Sequence, residues 1–146
     1  IATVYLQYLP GTRLPEPLFA LLDDDATRAF GQWAFDRGAL DPAHDGLIGV
    51  VIGGPTLRTE RDRAALCQGA IDQMRREFGL PSPLAQAVVV ERRATLLPSV
   101  GLRRPAPRLS VPGLYLAGDV ADSPFPSTLE GSVRAGLQAA DLAAQD

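Results

Sequence analysis

Val111-Pro-Gly-Leu-Tyr-Leu-Ala-Gly-Asp-Val-Ala-Asp-Ser-Pro-Phe-Pro-Ser-Thr-Leu-Glu-Gly-Ser-Val-Arg-Ala-Gly136 is the stretch whose reading decides the fold. Pro112-Gly113 is a turn signal. Leu114–Ala117 is a short apolar run, long enough to predict one buried strand. Gly118-Asp119 ends that strand, and a loop punctuated by Pro124 and Pro126 follows. Ser127 is a good N-cap, and Glu130 three residues on completes a capping box. A helix is therefore predicted over Ser127–Ala144, with Leu129, Val133, Leu137, Ala140 and Leu142 as its buried side.

A strand, a tight turn, a loop and a helix N-terminus have a chemical use. At the strand end, Asp119 can project into a crevice and accept hydrogen bonds from a sugar-like hydroxyl. Gly118 lets a ligand approach the backbone. The helix start offers unpaired N–H groups and a partial positive charge, suited to a phosphate or an electron-rich carbonyl. Small residues at Gly131, Ser132, Ala135 and Gly136 let the helix lie close to a neighbour. An ordinary strand–helix unit with a capped helix would read the same way, so spacing alone leaves both open.

The residues themselves resemble a known family. Gly113–Asp119 and Pro126–Gly136 are similar to the C-terminal FAD-binding segment of the flavin-containing amine oxidase and phytoene desaturase superfamily. Upstream, Gln32–Gly38 (QWAFDRG) and Glu91–Thr95 (ERRAT) resemble segments of its squalene-associated branch, the hydroxysqualene dehydroxylases. The blocks keep the family's order and rough spacing over most of the chain. The resemblance implies that FAD is the cofactor of the intact protein. Gly118, Asp119, Thr128, Leu129 and Gly131 are the cofactor-binding residues it implies. Asp119 would bind the ribityl or pyrophosphate region. Backbone N–H groups near Thr128 and Leu129 would face the flavin O2 edge.

Bulk properties set limits. The chain has 146 residues, enough for one domain's core, and 46% hydrophobic with 21% charged residues marks a globular protein. A net charge of -3 leaves no electrostatic footprint for nucleic acid. Every basic residue is Arg, which excludes a lysine beside the flavin within this segment. Cys67 has no second cysteine to pair with and falls on the apolar side of a predicted helix, so it reads as a small buried hydrophobe. No secretion signal and no apolar run near membrane length is present, so a cytoplasmic location is expected, with peripheral contact at the inner membrane surface if the substrate is apolar.

No strand–GxGxxG–helix run occurs: Gly53-Gly54 is followed by Pro55. With Ile1 in place of an initiating Met, the chain is expected to be a piece of a longer polypeptide. The pyrophosphate-binding half of the flavin site would then lie in an N-terminal FAD domain of that polypeptide. The isolated piece is expected to be inactive, to bind FAD weakly or not at all, and to self-associate through uncovered apolar surface.

In chain order, strands are predicted at 1–9, 18–22, 30–37, 46–54 and 85–95, the last with Val88, Val89 and Val90 in its buried portion. The run 46–54 is nearly continuous and apolar, as central strands are. Asp23-Asp24-Asp25 reads as a solvated turn, since three adjacent carboxylates lack a calcium loop's spacing. In 30–37, Gln32, Ala34 and Asp36 alternate with Trp33, Phe35 and Arg37. Trp33 and Phe35 are candidates for an apolar substrate pocket, or else core. His44, the one histidine, reads as an exposed loop residue without metal or triad partners. A helix capped by Thr59 is predicted over Glu60–Phe78, with an apolar stripe at Cys67, Ile71, Met74 and Phe78; Gly79 ends it, and Pro81 lies beyond. Leu96–Leu109 is read as an extended connection, with Arg103-Arg104-Pro105 as the portion that most resembles the family.

Together these predict an α+β or α/β fold: a mixed or antiparallel sheet of five to six strands with one long amphipathic helix, then a C-terminal strand–helix of the FAD domain. Residues 1–96 would be part of a substrate-binding domain and 97–146 the end of the FAD domain. The resemblance implies an FAD-dependent oxidoreductase acting on an apolar isoprenoid of the hydroxysqualene/squalene type. No catalytic acid or base and no metal ligand can be named. Amine oxidation or phytoene-type desaturation on the same fold stays open. So does a different class, a non-catalytic lipid-binding domain.

Overall fold

A computed structural model describes residues 1–54 and 63–146. The Thr59 cap and the first turn of the predicted helix, with Glu60, Arg61 and Asp62, lie outside the described residues. The chain divides into two compact units, Ile1–Arg92 and Arg93–Asp146.

The first unit is one sheet with a helix against it. Strands β1 (Ala2–Gln7), β2 (Leu18–Ala20), β3 (Trp33–Asp36), β4 (Leu47–Ile52) and β5 (Ala85–Val90) take the order β2-β3-β4-β1-β5. Every neighbouring pair is antiparallel. The single-turn helix α1 (Arg37–Leu40) follows β3, and α2 (Arg63–Phe78) connects β4 to β5.

Period-two alternation sets the core. Ala2, Val4, Leu6 and Tyr8 point to one face with Ile48, Val50, Ile52 and Ala34. From α2, Leu66, Cys67, Ala70, Ile71 and Met74 complete that cluster. Each large side chain so buried contributes roughly 1.5–3 kcal/mol. The Cys67 thiol is pushed up by burial, away from the reactive thiolate. Phe78 meets Phe19 edge to face at 5.0 Å, and the Gly79 N–H closes onto the Arg75 carbonyl at 3.0 Å to end the helix.

Among the described residues, two polar or charged side chains are fully buried here, and both are satisfied. Gln73 accepts from the Gly31 N–H (2.8 Å) and donates to the Leu22 and Gly31 carbonyls (3.1 and 3.0 Å). Asp36 caps α1 by accepting from Ala39 N–H and also accepts from Leu14 N–H, both at 2.9 Å. The chain thus leaves β3 through a capped turn of helix.

β1 and β5 lie side by side. The Ile1 nitrogen donates to the Glu91 carbonyl (2.9 Å) and Glu91 N–H to the Ile1 carbonyl (2.8 Å). β5 is the outermost strand, so Val88 and Val90 are only half-buried and Val89 is 57% exposed. The buried valine run expected there is corrected, because apolar β formers mark a strand but not its place in the order. Trp33, at 44% exposure, is not core either.

The second unit differs more from expectation. Leu114–Ala117 is not a strand: Tyr115 forms an isolated antiparallel bridge with Arg108. A strand exists only if a partner supplies a ladder, and Pro105 and Pro107 remove donors from the segment alongside. Helix α3 (Leu129–Gln145) follows. Its buried residues are Gly131, Ala135 and Ala139. Leu129, Val133 and Leu137, expected inside, are 89%, 61% and 64% exposed. α3 carries two stripes at helical spacing, and within this chain the small-residue stripe is the covered one.

Candidate functional site

The loop 118–128 and the start of α3 bring the candidate cofactor residues together. Gly118 has φ +100, and a Cβ there would meet nothing within 4 Å, so a left-handed turn and open space coincide. Asp119 follows, half-buried. Its Oδ2 accepts from Thr95 Oγ1 at 3.3 Å, which leaves further lone pairs on the carboxylate.

The Asp119 carbonyl accepts from Ser127 Oγ at 3.1 Å, tying the turn to the helix start. This contact moves the cap. With the Ser127 hydroxyl engaged, Thr128 is the N-cap, in extended conformation, and its Oγ1 accepts from Gly131 N–H at 3.2 Å. The Ser127–Glu130 capping box is therefore not formed. Glu130 pairs instead with Arg134, one turn on, at 2.5 Å.

Capping by Thr128 leaves donors over. Among the described residues no acceptor is found for the N–H groups of Leu129 and Glu130. They are the orphan donors of a helix N-terminus, where the macrodipole favours negative charge. The Leu129 side chain points to solvent, so this residue can serve only through its backbone. Gly131 is fixed by packing: a Cβ there would sit 2.5 Å from the Pro126 carbonyl oxygen. The loop backbone lies directly on the first turn of α3, where only glycine fits.

Three residues that hold this loop were given no role by sequence reasoning. Arg104 Nη2 donates to the Phe125 carbonyl at 2.9 Å and to the Ser123 carbonyl. Ser123 Oγ accepts from Phe125 N–H at 3.2 Å, and the Arg134 guanidinium lies 4.6 Å from the Phe125 ring centroid. The available signal was chemical: a Ser-Pro-Phe-Pro-Ser run has carbonyls but few donors, so it needs donors from elsewhere.

A separate cluster sits at the other end of α3. Arg108 Nη1 contacts both Asp146 carboxylate oxygens (2.6 and 2.8 Å), and Tyr115 OH donates to the same carboxylate. The Tyr115 hydrogen bond and then Arg108 hold the Asp146 carboxyl below its ordinary value. The carboxylate in turn raises Tyr115. An open depression of ≈ 910 Å³ lies here, lined among others by Arg108, Val111, Tyr115 and Asp146. A 17-residue helix separates it from the Gly118–Gly131 site, about 25 Å of rise.

Trp33 and Phe35 belong to the first unit. They share the sheet face turned away from α2, because the register aligns Trp33 with Val51 and Thr3, and Phe35 with Gly49 and Tyr5. Val51, Tyr5 and Phe35 on this face are half-buried. Gly49 sits mid-strand between Tyr5 and Phe35, and a Cβ there would lie 3.6 Å from the Tyr5 ring, an ordinary contact. His44 lies at the end of a short 3-10 turn with Nδ1 3.4 Å from Asp41. Among the described residues no group of His, Cys, Asp or Glu could hold a metal ion.

The family comparison gives the class, a flavin-dependent oxidoreductase. The chain belongs to the flavin containing amine oxidoreductase family, whose sequence model matches residues 24–144. Among curated proteins it is similar to the hydroxysqualene dehydroxylase of Rhodopseudomonas palustris, 51% identical over 57 residues. That of Sinorhizobium fredii is 48% identical over 58 residues. Each match covers 38% of this chain and 14% of the relative's length.

Proposed function

We propose that this chain supplies the C-terminal part of an FAD-dependent oxidoreductase that acts on an apolar isoprenoid of the hydroxysqualene type. The observation that carries the reading is the pair of unpartnered N–H groups, Leu129 and Glu130, held beside Asp119 by the Ser127 hydrogen bond. The donor set fits a flavin: N–H groups at a helix start favour negative charge, and Asp119 accepts from a hydroxyl. Gly118 leaves the space that a bound group would occupy.

When bound, flavin carries the hydride or electrons of the reaction. The protein orients it and excludes water. Gly118 allows close approach, Gly131 lets the loop backbone lie on the helix start, Asp119 would hold a hydroxyl, and the α3 start would stabilise charge on the cofactor. The open sheet face supplies apolar contact through Trp33 and Phe35, with Tyr5 and Val51 alongside. That face favours a hydrocarbon over an amine. Tyr115, in the motif's first half, is occupied by Asp146.

Sister chemistries on the same family fold, amine oxidation or phytoene-type desaturation, are the second reading. The remaining half of the flavin site would come from an N-terminal FAD domain of the same polypeptide. Among the described residues no helix is long and apolar enough to cross a membrane. Access to an isoprenoid would then come through peripheral contact with a membrane surface, the protein itself being cytoplasmic.

The test is the absorbance spectrum of the purified complete gene product, followed by anaerobic titration of the reduced protein with hydroxysqualene. Oxidised-flavin bands that reappear on adding substrate support the proposal. A folded, colourless protein that takes up no added FAD overturns it in favour of a lipid-binding domain. A flavoprotein that ignores hydroxysqualene but oxidises an amine moves the assignment to the sister chemistry.

A further inference from the structure

We infer that Arg104 is a positioning residue for the flavin site: it fixes the Pro124–Pro126 loop and, through it, the N-terminus of α3. The inference rests on the flavin reading above and names a residue that acts on the site without belonging to it.

Ser123 and Phe125 each precede a proline, which biases both toward extended backbone. Neither Pro124 nor Pro126 has an N–H to give. A Pro-X-Pro segment cannot form helix or ladder bonds of its own, so its carbonyls must find donors elsewhere. Arg104 provides them: Nη2 donates to both the Ser123 and the Phe125 carbonyls, the two that flank Pro124. Charge-assisted bonds of this kind are about twice as strong as neutral ones. A second anchor lies beside it, where Asp122 N–H donates to the Pro105 carbonyl at 2.8 Å. Residues 104 and 105 thus grip the loop at three backbone positions.

Loop and helix start cannot move separately. The Pro126 carbonyl oxygen occupies the place a Cβ of residue 131 would take. Thr128 N–H donates to that same carbonyl at 2.8 Å, while Arg134 holds Phe125 from the helix side. A displaced loop therefore carries Thr128 and the free N–H groups of Leu129 and Glu130 with it. The core of the first unit lies wholly within residues 1–92 and draws nothing from Arg104. Losing this side chain should misplace the site without unfolding the protein.

The test compares Arg104→Met and Arg104→Lys with the parent in the complete gene product. Met keeps the stem and removes every donor; Lys keeps the charge without the planar fork. The readouts are amide hydrogen exchange, FAD affinity and the visible spectrum of bound flavin. The expected result for Arg104→Met is exchange accelerated at residues 119–132 alone, with a weakening of FAD binding by about tenfold or more, the scale of one charged hydrogen bond lost. The flavin spectrum should shift as the α3 start moves, and Arg104→Lys should recover part of both effects. Unchanged exchange at 119–132 overturns the inference, as does unchanged FAD affinity in a flavin-binding parent. Acceleration spread over the whole of 93–146 also overturns it, since that would make Arg104 a general stabiliser. A parent that binds no flavin ends the functional reading instead, and the exchange data then decide alone whether Arg104 fixes the loop.

Discussion

Gly131 and Tyr8 show how single atoms decide what a position tolerates. Gly131→Ala would drive a Cβ to 2.5 Å from a backbone oxygen that cannot rotate away. Overpacking of this kind costs roughly 1–3 kcal/mol. Denaturant titration should show that loss, and flavin binding should fall with it because the Pro126 carbonyl must shift. Tyr8 is the opposite case. Its ring is core, but its hydroxyl is buried with no hydrogen-bond partner among the described residues. Tyr8→Phe should therefore be neutral or stabilising by up to about 1 kcal/mol, the part of an unsatisfied hydroxyl's cost that is recovered. Burial also lifts Tyr8 to about 12, partly offset by Arg75. Folding thus favours the protonated phenol. Its contribution is whole below the ordinary value of 10.0 and is lost as pH rises toward 12. Absorbance titration of the parent beside Tyr8→Phe should show that the amplitude lost in the variant is amplitude that ionises only with alkaline unfolding; loss of amplitude near 10 instead would refute this.

At the scale of the element, α3 is held at both ends by side chains from 104–108, and its caps can be tested separately. Thr128→Ala removes the N-cap acceptor and should cost about 1 kcal/mol in helix stability. Ser127→Ala should leave the helix in place and free the Asp119 turn. Circular dichroism melts together with hydrogen exchange at 119–122 would separate the two; a lower melt for Ser127→Ala than for Thr128→Ala would return the cap to Ser127. At the far end, the Asp146 carboxyl is depressed, so the clasp with Arg108 and Tyr115 is present above its ordinary value of 3.8 and released as pH falls below it. Fraying of the last turn of α3 that sets in only in acid, and that Arg108→Ala shows at every pH, is the signature to look for.

What could be read from the sequence follows from which forces are local. The continuous apolar run at 47–52 and the glycine after Phe78 announce β4 and the end of α2 directly. Leu114–Ala117 has the same local character as a strand, yet it forms one bridge, because strand formation is decided by a partner and not by the run itself. On α3 the hydrophobic pattern marked Leu129, Val133 and Leu137, and the chain buries Gly131, Ala135 and Ala139 instead. Both stripes have helical spacing, and hydropathy cannot tell which one meets this part of the polypeptide. Arg104 was legible as part of the family-like Arg103-Arg104-Pro105 run in a proline-rich connection, but its contacts were not. Its acceptors are 19 and 21 residues away and are carbonyls, which every residue has.

The whole molecule leaves apolar surface uncovered in its second unit, on the outward stripe of α3 and at Val100, Val111 and Leu114. Single exposed apolar residues are ordinary, but a stripe three deep on one helix face is not. The 146-residue chain should therefore self-associate, with an apparent mass in light scattering that rises with concentration. Leu129→Glu together with Val133→Glu should suppress that rise. A mass that stays at one value over a hundredfold dilution would show the stripe to be harmless.

The paired hydrogen bonds between Ile1 and Glu91 have a further meaning for how such a protein is pulled apart. They carry the β1–β5 pairing one residue beyond the strands and tie position 1 to position 91. A pull applied at those two positions would open the antiparallel ladder pair by pair, like a zip, instead of shearing all of its bonds at once.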